Sequence, residues 1–290
     1  MRILNIGSMN VDHVYAVEHF VRPGETLASS RYQVFAGGKG FNQSIALGRA
    51  GAAVRHAGMV GKDGAWLVDR LSREGVDIEF VEVTDGPTGH AIIQVAPSGE
   101  NAIVLFAGAN HQVTQEAIDR AASSCSAGDY LLLQNETSAV ANAIQIGKRR
   151  GLKVVLNPAP MTAAVRDYPL DAVDLFILNE TEAQGLTGES SADAIRAAMR
   201  TRFPRAATVL TLGRQGAMYF DADRQLHQPA AAVQAVDTTA AGDTFIGYFL
   251  AELTQSNDPA KALALGCRAA AICVTRPGAS DSIPLRKEVE

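Results

Sequence analysis

The segment Asp237-Thr238-Thr239-Ala240-Ala241-Gly242-Asp243 sets a carboxylate beside small residues, and Phe245, Ile246, Phe249, Leu250 and Leu253 follow it at helical spacing. That stripe makes Ala240, Ala241 and Gly242 the first turn of a buried helix. The N–H groups of such a turn lack partners within the helix and carry the positive end of its dipole. Small side chains let a phosphate approach them closely. A carboxylate there repels an anion, so Asp243 suits another role, taking the proton from a hydroxyl that attacks a phosphoryl group. The plainer alternative is an acid that favours a helix start, with Gly242 permitting tight packing, and the motif alone leaves both open.

Gly37-Gly38-Lys39-Gly40-Phe41-Asn42 is a glycine-rich entry to a second helix, with backbone exposed for a ligand. It is neither a P-loop, which needs GxxxxGK followed by Ser or Thr, nor GxGxxG. A tight helix-entry turn with no ligand explains it equally well. Other chemistries lack their motifs. There is no HExxH among the six histidines and no GxSxG, and His56 and His90 read as packing or capping residues.

The elements that must position these residues are legible from periodicity. A short first strand ends at Gly7, and Asn10 and Asp12 lie just beyond it. The spacing predicts strands at 54–60, 91–96, 102–106, 130–133, 154–156, 175–178 and 208–212, and helices at 42–49, 65–73, 139–150, 192–201, 241–253 and 260–274. Pro97-Ser98-Gly99-Glu100 marks a hairpin. Alternating strands and helices, with strands apolar on both faces, imply a mostly parallel sheet covered by helices. Ligands then bind beyond the carboxyl ends of the strands. There the chain carries Gln134-Asn135-Glu136, Asn157-Pro158, Asn179-Glu180-Thr181-Glu182 and Thr211-Leu212-Gly213. A single Asn or Asp after a strand is usually a cap or turn residue; clusters after almost every strand suggest a shared site.

The 290 residues suffice for one large α/β domain, and a hydrophobic share of 47% can bury a large core. A net charge of −5 argues against a nucleic-acid or membrane-surface partner, and Lys148-Arg149-Arg150 reads as a solvated helix end. Three cysteines (Cys125, Cys267 and Cys273) without a CxxC pair suit a reducing compartment and make no zinc site. With no secretory leader or membrane-length apolar run, the expected location is the cytosol.

Residues 36–42 and 237–243 together resemble the paired signatures of the ribokinase/PfkB carbohydrate kinase family. The resemblance extends across nearly the whole chain through Gly7-Ser8-Met9-Asn10-Val11-Asp12, Ala107-Gly108-Ala109-Asn110, Asn157-Pro158-Ala159-Pro160, Asn179 to Glu182 and Thr211 to Gly213. It implies an α/β, ribokinase-like three-layer αβα sandwich with a mostly parallel central sheet and a small β-sheet lid. Residues 1–290 would form one domain, with lid strands from roughly 12–36 and 88–107.

The resemblance further implies an ATP-dependent kinase for a small sugar. Asn10 and Asp12 would hydrogen-bond sugar hydroxyls, Gly38, Lys39 and Asn42 would close the same pocket, and Glu136 resembles the family acid that also contacts the sugar. Asp243 would be the general base. Ala240, Ala241 and Gly242 would hold the charge that builds on the transferring phosphoryl group. Asn179 and Glu182 resemble an NxxE element that organises Mg²⁺ and phosphates, largely through water, and Thr211, Gly213 and Gly216 would line the nucleotide cleft. Asp237 and the Thr239 carbonyl resemble a site for K⁺, completed by the backbone of Cys273, Arg276 and Gly278 and by Ser282; the alternative is that Asp237 only caps its turn. The chain departs from its relatives at Cys267, where they often set Asn or His against the adenine. A buried helical cysteine is the other reading.

The expected reaction is phosphorylation of D-ribose at O5, giving ribose 5-phosphate. A deoxy sugar would leave the Asn10 amide unpaired, at roughly 1–3 kcal/mol. Other small sugars (2-deoxyribose, fructose) and nucleosides are the alternatives within the family. A phosphorylated substrate is disfavoured because Glu136 would repel a second phosphate. A non-catalytic sugar sensor is the alternative of another class, against which the intact Asp243 argues. The open edges of two lid sheets could pair across a two-fold axis, so a homodimer is expected.

Overall fold

The structure, a computed structural model, describes residues 1–290. Strand β1 (Ile3–Ile6) leads to β2 (Asn10–Ala16), β3 (Arg31–Gly37) and helix α1 (Lys39–Arg49). Next come β4 (Val54–Gly61), α2 (Ala65–Arg73), β5 (Asp77–Thr84), β6 (Gly89–Val95), β7 (Asn101–Phe106) and α3 (Gln115–Ser123). The second half alternates: β8 (Tyr130–Gln134), α4 (Val140–Arg149), β9 (Lys153–Asn157), β10 (Leu175–Asn179), α5 (Glu180–Thr187), α6 (Ala192–Arg202) and β11 (Ala207–Thr211). The hairpin β12 (Ala217–Phe220) and β13 (Gln225–Gln228) precedes α7 (Ala241–Ser256), α8 (Pro259–Cys273) and the short α9 (Arg286–Val289).

Nine strands form the main sheet in the order β13-β12-β11-β10-β9-β8-β1-β4-β5. Strands β11, β12 and β13 pair antiparallel at one edge, and all other neighbours are parallel. Alternation along each strand divides its apolar side chains between two cores. Ile3 and Leu132 face the core that includes Phe41 and Ile45 of α1, Leu67 of α2, Phe249 of α7 and Leu263 of α8. Leu4, Leu131 and Leu133 face the core built with Ile118 of α3, Ile144 of α4, Leu186 of α5 and Ile195 of α6. The result is the expected three-layer αβα sandwich. Four strands, β3-β2-β6-β7, form a separate smaller sheet. No helix is long and apolar enough to cross a membrane.

Strand register gathers the polar residues. Gln134 at the end of β8 pairs with Asn157 at the end of β9, and Asn179 at the end of β10 pairs with Thr211 at the end of β11. The amino end of α1 is brought to the same edge by backbone contact. A Cβ on Gly40 would overlap the Cα of Gly7 just past β1, so only glycines let helix and strand touch there. Gly38, immediately before α1, holds φ at 90°, a value other residues rarely adopt.

Periodicity located most elements but missed β5, α3, α5, β12 and β13. The edge strand β5 is only partly buried, and α5 has eight residues and little amphipathic contrast. Helix α1 starts at Lys39, three residues before the expected start, because glycines there replace any apolar pattern. The glycine contact makes a measurable demand. Gly40→Ala should cost about 1–3 kcal/mol in urea unfolding; unchanged stability would contradict the close approach of α1 to β1.

Candidate active site

The amino end of α7 is open to a ligand. Ala240, expected in the first helical turn, instead precedes it as the cap residue, in the left-handed conformation at φ 60°. Such a conformation is uncommon without glycine and tends to be held at functional sites. The Ala241 N–H reaches only the Thr238 carbonyl, at 3.2 Å, and those of Gly242 and Asp243 make no hydrogen bond within the protein. Nothing lies within 4 Å of where a Cβ on Gly242 would project, and Ala240, Ala241, Gly242 and Asp243 all line the cleft beside this turn.

Asp243 is buried in this turn, and α1 holds it from the other side. Asn42 Nδ2 donates to its Oδ2 at 3.0 Å, and Gln43 Nε2 donates to its Oδ1 at 2.9 Å. Asn42, expected to line a sugar pocket, therefore also orients the carboxylate beside that pocket. Both carboxylate oxygens are fixed while lone pairs remain to accept from a third donor.

On the β1–β2 side, Ser8 Oγ and the Lys39 N–H donate to Glu136 Oε2 at 2.5 and 2.9 Å. Asn10 Oδ1 accepts from Asn110 Nδ2 at 2.7 Å, while the Asn10 amide N–H groups make no bond within the protein. Asp12 lies against Gly37, where any side chain would collide with its carboxylate. Burial, with help from the charge on Glu136, raises the Asp12 carboxyl to about 6. Burial disfavours charge on Lys39 as well, but Asp243, Glu136 and Glu182 outweigh it and hold the ammonium above the usual lysine range.

Lys39 also lines the adjoining cleft with Asn179, Glu182, Thr211, Thr238 and Gly242. Asn179 and Glu182 form a capping box at the start of α5: Glu182 N–H donates to Asn179 Oδ1 at 2.8 Å, and Asn179 N–H to Glu182 Oε2 at 3.0 Å. Burial nonetheless raises the Glu182 carboxyl above its ordinary value. The pair thus builds the helix start and presents an acid to the cleft. No three or more His, Cys, Asp or Glu side chains converge anywhere to chelate a metal outright. A hard divalent cation brought with phosphates would suit Glu182 acting through water.

The expected monovalent-cation residues come together beneath the α7 turn. The Thr239 and Gly278 N–H groups donate to Asp237 at 2.9 and 3.0 Å. Burial works against ionisation of Asp237, but these bonds prevail and hold its carboxyl low. Cys273 Sγ lies 3.8 Å from the Thr239 carbonyl and 3.1 Å from Ser282 Oγ. The Cys273 carbonyl accepts from the Arg276 N–H at 3.1 Å, and the Arg276 guanidinium pairs with Glu288. An anionic carboxylate among backbone carbonyls and a hydroxyl is a donor set that fits a hard cation. Gly213, at φ 52°, and Gly216, at φ 96°, shape the turn between β11 and β12. Cys267 is a buried helical residue, its thiol pushed up to about 11 by burial and its Sγ 3.9 Å from the Gln228 carbonyl.

Sequence reasoning gave Gln43, Ser8 and Asn5 no role, and placed Gln134 and Asn157 at the shared site only as members of the polar clusters after the strands. All five are buried. The overlooked signal was an amide within an apolar element, Asn5 in β1 and Gln43 in α1, since buried polar groups need partners.

A helix start open to an anion, a fixed carboxylate in its first turn and polar side chains converging from the strand ends are parts that phosphoryl transfer to a small-molecule hydroxyl would use. The chain belongs to the pfkB family of carbohydrate kinases, whose sequence model matches residues 2–286. Ribokinase of Haemophilus influenzae is 42% identical over 98% of this chain and 95% of its own. A deoxyribokinase of Salmonella typhi is 36% identical, over 98% and 96%. The structure of Arabidopsis thaliana ribokinase complexed with ribose and ATP superposes with a TM-score of 0.88 at 29% identity, covering 99% of this chain and 97% of that one. This chain is accordingly an ATP-dependent sugar kinase.

The Asp12–Glu136 pair makes a pH prediction. Carboxyl-carbon NMR of the unliganded protein should place the Asp12 midpoint near 6, and Glu136→Gln should lower it. Because the folded value is raised, the Asp12 contribution to stability is largest in acid and declines as pH rises through about 6. A midpoint at the ordinary value, about 4, would contradict the burial and pairing described.

Proposed function

We propose that this enzyme phosphorylates D-ribose at O5 with ATP. The observation that carries the proposal is the hydrogen-bonded junction of α1 and α7, where Asn42 and Gln43 fix Asp243 beside unpaired N–H groups. The ribose hydroxyl gives its proton to Asp243 as its oxygen attacks the γ-phosphorus, and the bond from that phosphorus to the β-phosphate oxygen breaks, so that ADP leaves as the sugar phosphate forms. The charge on the transferring group falls to the N–H groups of Ala240, Ala241 and Gly242 and that of Asp243 itself, with Lys39 opposite. Asn10, Asp12, Gly38, Lys39, Asn42 and Glu136 hold the sugar.

The nucleotide lies along Asn179, Thr211, Gly213 and Gly216, with Cys267 beneath Gln228 on the adenine side. Mg²⁺ brought by ATP would be held, largely through water, by Glu182. Asp237, Thr239, Cys273, Arg276, Gly278 and Ser282 would hold K⁺, whose charge would steady the turn that presents the anion-binding N–H groups. The whole chain acts as a single domain, and the four-stranded sheet is its lid. Three unpaired cysteines fit a cytoplasmic setting.

A second reading, 2-deoxyribose as substrate, is favoured by the deoxyribokinase relative. The Asn10 amide supports ribose over its 2-deoxy analogue. One side of it is taken by Asn110, and its N–H groups require an acceptor. Coupled ADP release should show ribose preferred over 2-deoxyribose by roughly ten- to hundredfold in kcat/KM. The reverse preference would support the second reading. Asp243→Asn should lower kcat by about 10²- to 10⁴-fold with sugar affinity little changed; undiminished turnover would remove Asp243 from the chemistry.

The lid exposes Val34, Ile92, Ile103, Val104, Leu105 and Phe106. An apolar sheet with two open edges calls for a cover, and pairing with the lid of a second copy supplies it. Light scattering at micromolar concentration should give a dimer; a monomer would contradict lid pairing.

A further inference from the structure

Behind the cleft runs a line of buried polar groups that the reaction as described does not use. Its members are His56, Ser44, Asn5, Gln134 and Gln43, each 0–1% exposed. Side-chain amides can be turned end for end, so their direction has to be fixed by a neighbour with only one hydrogen-bonding character. Here that neighbour is the Gly40 carbonyl, which can only accept.

Asn5 Nδ2 donates to this carbonyl and to Ser44 Oγ, both at 2.8 Å. Asn5 Oδ1 must therefore accept, and Gln134 Nε2 donates to it at 2.9 Å. The same Gln134 nitrogen donates to Gln43 Oε1 at 2.7 Å, so both Gln43 amide hydrogens point the other way. One goes to Asp243 Oδ1 at 2.9 Å and the other to Asn157 Oδ1 at 3.2 Å. Asn157 Nδ2 in turn donates to the Ile177 carbonyl and, at 3.3 Å, to Glu182 Oε2. The series begins at an obligate acceptor and ends with an N–H group on each of two carboxylates. At the far end, burial lowers His56 to about 4, so the line carries no charge of its own at neutral pH.

We propose that Gln43 is a positioning residue for phosphoryl transfer, setting the plane of the Asp243 carboxylate and tying it through Asn157 to Glu182. The proposal rests on the reading of Asp243 as the base. Asn42 alone allows the carboxylate to rotate about the bond that carries it; Gln43 at the second oxygen removes that freedom. The Gln43 hydrogens, aimed by Gln134, keep the proton acceptor and the phosphate-side acid in one fixed relation. A small misplacement of a reacting group is costly in turnover and need not affect affinity, because the sugar and nucleotide contacts are elsewhere.

The test is a double-mutant cycle of Gln43→Met and Asp243→Asn, with kcat and both KM values measured for the full-length enzyme. Gln43→Met should lower kcat by about 10- to 100-fold and leave the KM for sugar and nucleotide within about threefold. In the Asp243→Asn background it should cost almost nothing further, because the group it positions has lost its function. Unchanged turnover, KM values that rise in step with the fall in kcat, or an undiminished loss in the Asp243→Asn background would each overturn the proposal. Full activity in Asp243→Asn alone would instead overturn the base assignment, so the two failures are distinguishable. If Gln43→Met does not fold, the near-isosteric Asp243→Asn protein still reports. With glutamine side chains labelled with ¹⁵N, the Gln43 amide signal should move on that substitution, and an unmoved signal would overturn the proposal.

Discussion

Two hydrogen bonds join residues 201 and 200 positions apart in the chain, from Asn42 and Gln43 on α1 to Asp243 on α7. The rest of the site depends on these two helices beginning side by side. Side chains on an α-helix advance by about 100° per residue, so a one-residue slip of either helix would turn its groups away from the other. The register is held by backbone contact. Gly40 touches Gly7 past β1, and a side chain on Gly247 of α7 would collide with Ala46 of α1. Small residues at these points are what allow a polar junction to form inside an apolar layer.

Three carboxylates, Glu136, Glu182 and Asp243, face one lysine in a partly buried space, and a fourth, Asp12, lies beside Glu136. Burial disfavours each charge, and an unpaired buried carboxylate is strongly destabilising. The protein meets this in different ways. Glu136 accepts from Ser8 and the Lys39 backbone, Glu182 from a helix start and Asn157, and Asp243 from two amides. Asp12 has no such donors and responds with the raised carboxyl described above. Lys39 stays charged because three of these acids face it. The proposed separation into a sugar side and a phosphate side rests on where the acids lie, with Lys39 between Glu136 and the pair Glu182 and Asp243.

Much of this was legible in the sequence. The parallel core followed from short strands apolar on both faces, such as 130–133, alternating with amphipathic helices. The site followed from polar residues at strand ends and from the two glycine-containing helix starts. Three features were not legible, each for a physical reason. The start of α1 at Lys39 is set by glycine contact with β1 rather than by periodicity. Helix α5 is short and held by its capping box, so the motif expected to bind metal also serves the fold. Gln43 has no local signature, because its partners Gln134, Asn157 and Asp243 are brought to it only by the sheet order. A buried amide in a helix is a sign that partners exist, but topology decides which they are.

The central claim is that Asp243 takes a proton from one particular hydroxyl while α7 receives the phosphoryl group that hydroxyl attacks. The most direct measurement is phosphorus–proton correlation NMR of the product formed from ribose and Mg·ATP. Coupling of the new phosphorus to the two protons on C5 is the predicted result. Phosphate on the anomeric or another ring hydroxyl, or ADP and inorganic phosphate with ribose unchanged, would contradict the account.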